Sequence, residues 1–129
     1  MNSCIFDTKK IKKIKPMKLA SLTKNKEYKE KRPAVKVLID TGYGKEIRIL
    51  FKKDQFMKEH TAPFPIVVEI FEGRIDFGVE GEIQHLKAGD LIFLEASVPH
   101  DLLALEDSIV RLSLQQGDSA KRVKEVAEK

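Results

Sequence analysis

Between Phe64 and Leu114, apolar runs of four to six residues are cut at short intervals by Gly73, Gly81 and the turn Ala88-Gly89-Asp90. Short strands with turn signals about every eight to twelve residues mark an antiparallel sandwich or barrel. Ile75, Phe77 and Val79 alternate with Arg74, Asp76 and Gly78, so one face of that strand is buried and the other wet. Gly73 and Gly81 fall where the chain must reverse, and glycine supplies the positive φ such reversals often need.

The same pattern extends upstream. AVKVLID and EIRILF flank Thr41-Gly42-Tyr43-Gly44 and read as a hairpin, although the alternation of Ile47, Ile49 and Phe51 with Arg48, Leu50 and Lys52 is imperfect. Lys53-Asp54 turns the chain toward Phe56, Met57 and His60, and the prolines of Thr61-Ala62-Pro63-Phe64-Pro65 make that stretch a loop. Further strands are expected at 66–71, 74–79, 82–86, 91–94, 100–105 and 109–114. The continuous run Leu91-Ile92-Phe93-Leu94 predicts a strand covered on both faces. MKLASL (17–22) predicts a first edge strand, exchangeable with a second copy. After Gly117, Asp118 or Ser119 caps a short surface helix with Val123, Val126 and Ala127 as its only apolar stripe. The expected organisation is a basic tail at 1–16, a β-barrel at 17–115 and a short helix at 116–129.

A length of 129 residues supports one core. No apolar run reaches the ~20 residues of a membrane helix, and no apolar segment follows the lysine-rich start, so neither a membrane span nor a secretory signal is expected. The lone Cys4 has no internal partner, which fits a reducing cytoplasm. The net charge of +4 is unevenly spread: residues 1–32 hold eleven Lys and Arg against Asp7, Glu27 and Glu30, whereas the rest holds thirteen basic and seventeen acidic residues. Charge confined to one segment with almost no interleaved aromatics reads as a solvated leader, not a nucleic-acid interface.

The segment GDLIFLEASVPH is similar to the second motif of the cupins, which are small antiparallel β-barrels. Counted from Gly89, His100 takes the motif's histidine, while Glu95, Ser97 and Ala104 stand where it has proline, glycine and asparagine. The first cupin motif, anchored on Gly73, places His60 on its first histidine, Ala62 on its second and Ile66 on its glutamate. The resemblance covers roughly residues 33 to 115. It implies an all-β, cupin-like antiparallel barrel, a double-sheet jelly roll followed by a short C-terminal helix.

Metal-dependent cupins hold their ion with three histidines and a glutamate, and imidazole and carboxylate suit zinc, iron, nickel and manganese. The corresponding positions here read His60, Ala62, Ile66 and His100, so the resemblance implies no complete metal site and no cofactor. At most His60 and His100 form a weak site for a divalent transition metal. Glu69 is three residues from Ile66 and in a regular strand faces the other way. His85 matches no ligand position and is expected at the surface. No nucleophile is paired with a base, so no catalytic residue is assigned.

The favoured expectation is a non-catalytic small-molecule binding module. Its pocket lies in the barrel between His60 and His100 and is lined by Phe56, Ile66, Val68, Phe77 and Phe93. Imidazoles with an ordinary pKa near 6.5 would also serve there as acid or base. The alternatives are a metal-dependent cupin enzyme of isomerase, dioxygenase or decarboxylase type, and a stand-alone sensor or regulatory dimer. A complete arabinose-type regulator would need a helix-turn-helix, which this stretch lacks. A homodimer is expected in each case, because small open barrels expose edge strands; 17–22 and 35–39 are the candidates for the contact.

Overall fold

The structure is a computed structural model that describes residues 16–129; the expectations for the tail and Cys4 lie outside the described residues. Nine strands follow one another: β1 (Ala34–Asp40), β2 (Gly44–Phe51), β3 (Phe56–His60), β4 (Ile66–Glu72), β5 (Arg74–Val79), β6 (Glu82–Lys87), β7 (Leu91–Leu94), β8 (His100–Ala104) and β9 (Ser108–Gln115). Among the described residues one helix, α1 (Ala120–Glu128), follows the strands. The strands form two antiparallel sheets, ordered β1-β2-β9-β4-β7 and β3-β8-β5-β6. No helix among the described residues is long and apolar enough to cross a membrane.

The two-residue period of each strand builds the core between the sheets. Ile47, Ile49 and Phe51 of β2, Ile66, Val68 and Ile70 of β4, and Ile75 and Phe77 of β5 all turn inward and are buried. Gly73 is obligatory at the β4–β5 corner. It has φ +93°, and a Cβ there would collide with the Ser108 hydroxyl, which accepts from the Arg74 amide at 3.1 Å.

Two local expectations are corrected, and one irregularity is explained. First, β7 is not covered on both faces. It is an edge strand with no layer over its outer side among the described residues, so Leu91 is 66% and Phe93 56% exposed. Second, residues 17–22 form no strand. Met17 and Leu19 stay exposed, and the Ser21 hydroxyl bends the chain by accepting from the amides of Thr23 and Lys24. Third, the imperfect alternation in β2 has a cause. The leader lies over the outer face of that strand, where Leu22 and Tyr28 pack on Ala34, Leu50 and Ile109, and the buried Arg48 bonds to leader carbonyls. Both faces of β2 are therefore covered.

Helix α1 is short, as its sequence suggests, but it is not merely a surface helix. Ser119 is its N-cap, accepting from the Arg122 amide. Val123 and Ala127 are buried in the main core, and α1 packs beside β1 and β3. It closes one end of the barrel.

Candidate functional site

Adjacent strands β3 and β8 place His60 directly opposite His100. The ring centroids are 4.2 Å apart and the planes tilted by 60°. Phe77, from the next strand, lies parallel to His100 at 5.6 Å. The pair sits in a cup whose floor is aliphatic, with Ile49, Met57, Ile66, Val68 and Leu102 among its walls, and α1 covers the cup with Arg122, Val123 and Val126.

Both imidazoles are held in the same way. His60 Nδ1 is 2.7 Å from the Lys58 carbonyl and His100 Nδ1 is 2.9 Å from the Val98 carbonyl. A carbonyl only accepts, so each Nδ1 carries the proton and donates, and each Nε2 is left as a bare acceptor. Burial pushes the His60 pKa down to about 4, the lysine-58 carbonyl opposing this, and nearby His100 and Arg122 lower it further. Burial, again with Arg122, also lowers that of His100. At neutral pH both rings are uncharged, because the apolar cup disfavours the imidazolium. The expectation of an acid or base titrating near 6.5 is therefore corrected for His60.

Arg122 stands at the rim. Its Nε and Nη2 donate to the two oxygens of buried Asp118 at 2.7 and 2.9 Å, and its Nη1 lies 3.5 Å from the Thr61 carbonyl. With Arg122 committed, no donor among the described residues reaches either histidine Nε2. The space left is about 20 Å³ for the centre of a water-sized occupant, room for about one water.

Of the residues expected in the pocket, His60, His100, Ile66, Val68 and Phe77 come together. Phe56 and Phe93 do not. Phe56 and His60 are four apart and would share a face in a regular strand, but a register shift between Met57 and His60 breaks the parity. Met57 turns inward instead, and Phe56 is 49% exposed. Phe93 faces solvent because Leu94 takes the inward place on β7. Sequence reasoning missed Met57, Leu102 and the helix residues. The apolar stripe of α1 was a visible signal; what it would cover was not. His85 is exposed and bonds to Asp76 at 2.6 Å, far from this chemistry.

The donor set does not fit a resident transition metal. Ala62 and Ile66 are buried apolar groups, Glu59 and Asp101 are exposed, and no group of three or more His, Cys, Asp or Glu side chains gathers among the described residues. What the arrangement offers is a pair of neutral hydrogen-bond acceptors in an apolar cup.

No protein-family model and no curated protein sequence matches the chain. Solved structures do. An RmlC-like cupin from Desulfovibrio desulfuricans superposes with a TM-score of 0.69 at 19% identity, covering 78% of this chain and 97% of that one. An uncharacterised conserved protein with a double-stranded β-helix domain from Klebsiella pneumoniae gives 0.71 at 16% identity, covering 81% and 89%. An RmlC-like cupin from Shewanella frigidimarina gives 0.67 at 20%, covering 78% and 93%. The two-sheet barrel, its strand order and these likenesses together give the chain the fold of a small cupin, with only two of the motif's four ligand positions still histidine.

Proposed function

We propose that this cupin-fold protein is a binding module for a small uncharged molecule bearing hydroxyl or amide donors, and that it does not transform what it binds. One observation carries the reading: two neutral imidazoles, each fixed through Nδ1 on a backbone carbonyl, present two unpaired Nε2 acceptors inside an apolar cup. No donor among the described residues meets either Nε2, so the site favours an occupant that donates to both. A low histidine pKa makes a poor base at neutral pH, which favours binding over proton transfer. Water fits the closed cup; anything larger requires α1 to lift, and α1 is the element that would reclose over it.

The test is a backbone and side-chain NMR titration with neutral polyols, glycerol and xylose being the first probes. Saturable shifts at His60, His100, Val123 and Val126 are expected. Their absence at high millimolar probe overturns the proposal, and near-stoichiometric transition metal in protein purified without chelator would replace it with the enzyme reading.

The proposal includes a homodimer. Since 17–22 forms no strand, the β7 edge is the better contact, because Leu91 and Phe93 are joined there by partly exposed Val67 and Phe71. Light scattering should show a dimer at micromolar concentration, and a monomer for Phe93→Lys. A monomeric parent protein would remove this part.

A further inference from the structure

The outer face of the five-stranded sheet carries a second concavity, between the leader and β1. It measures about 550 Å³, with walls that include Leu19, Ser21, Lys24, Lys36, Leu38 and Arg48. That volume lies within the ~300–1,000 Å³ of ordinary small-molecule sites. Its charge is one-sided. Lys36 stands opposite Arg48 in the β1–β2 register, and Arg48 opposite Arg111 in the β2–β9 register. Like charges directly opposite each other on a sheet repel.

Arg111 is offset by Glu46 at 3.0 Å and Glu69 at 3.3 Å. The other cations are not. Among the described residues no acidic side chain lines the concavity, and no ion pair involves Lys24, Lys36 or Arg48. Arg48 is only 3% exposed. Its Nη1 donates to the Lys24 carbonyl at 2.8 Å, with the Leu22 carbonyl at 3.5 Å, and its Nη2 donates to the Asn25 carbonyl at 3.2 Å. Its Nε has no partner. Carbonyl dipoles orient the guanidinium but bring no negative charge, and a buried charge without a counter-charge is costly.

We propose that this concavity binds a small soluble phosphate monoester. The phosphate lies among Lys24, Lys36 and Arg48, and a short apolar portion rests on Leu19 and Leu38. A phosphate monoester carries about −1.5 to −2 charges at neutral pH, which matches three unoffset cations better than a single carboxylate does. Lys36 and Leu38 both line the concavity from β1, so one strand offers both the cation and the apolar contact. The site is independent of the histidine cup.

The experiment is a chemical-shift titration of the full chain with hexyl phosphate, with phosphatidylglycerol vesicles in a second arm. Saturable shifts at residues 19–25 and 36–38 that weaken with added salt are expected, and no sedimentation with vesicles. Lys24→Gln and Lys36→Gln should each lower affinity about tenfold, as expected for loss of one charge-assisted contact. These side chains do not hold the leader, so both variants should keep the fold that an Arg48 variant risks losing. The proposal would be overturned by no binding, by affinity unchanged in both lysine variants, by shifts at His60 and His100 instead, or by binding to vesicles without binding to the soluble probe. Concentration-dependent shifts at 36–38 without probe would give the groove to a second copy, and so also overturn it.

Discussion

The cup and the leader groove lie on opposite faces of the same sheet, and β2 contributes to both. Ile49 turns into the cup while its neighbour Arg48 turns toward the leader. The cup is nearly filled, at about 20 Å³, and its two titratable rings are neutral; the groove has about 550 Å³ and three cations with no acid beside them among the described residues. The difference shows how two basic side chains respond to burial. Histidine can shed its proton, so desolvation ends in a lowered pKa and an uncharged ring. Arginine cannot, so burial forces it to recruit carbonyls and leaves its charge seeking an anion.

If the cup is a packed interior and not a loose pocket, Phe77→Ala should be the most damaging change. Phe77 is fully buried and flanks His100; truncation should cost about 3–5 kcal/mol in urea denaturation. A cost under about 1 kcal/mol would mean the wall was never tightly packed. Next in size is Arg122→Gln, which strands the buried Asp118 carboxylate. It should cost about 2–3 kcal/mol and speed amide exchange across α1. It should also raise both histidine pKa values by removing a nearby positive charge.

The pH dependence sharpens the contrast further. Below about 6.5 the unfolded chain takes up a proton on His60 that the folded chain refuses until about 4. Stability is therefore full above pH 6.5, falls as pH drops toward 4 and levels off below. His60→Gln should flatten this part of the profile. Because His60 keeps part of its surface in solvent, the loss is on the order of 2 kcal/mol. Smallest is Ser119→Ala, which removes the N-cap hydroxyl of α1 and should cost about 1 kcal/mol by thermal unfolding.

Much of the barrel was legible because its signals are local. Gly42, Gly73, Gly81 and Gly89 all adopt positive φ near the expected reversals, and the apolar runs between them became strands. His60 and His100 were legible as a pair through motif spacing. What escaped reading depends on contacts distant in sequence. LIFL looks the same in a central strand and at an edge; only the missing layer over β7 decides that Leu91 and Phe93 are wet. MKLASL resembles a strand, yet its chain is turned by Ser21 and its successor is tied down by Arg48, 26 residues from Leu22. The β3 bulge exchanged Met57 for Phe56 without any glycine or proline to announce it. The stripe of α1 was visible, but the open end of a barrel is not written in any window of twelve residues.

The most direct measurement is the long-range ¹H–¹⁵N imidazole spectrum of His60 and His100 at pH 7. Two neutral rings, each with the proton on Nδ1 and an unprotonated Nε2, and unchanged by equimolar zinc, are the predicted result. A pair of imidazolium signals, or Nε2 shifts that saturate at one zinc per chain, would contradict it.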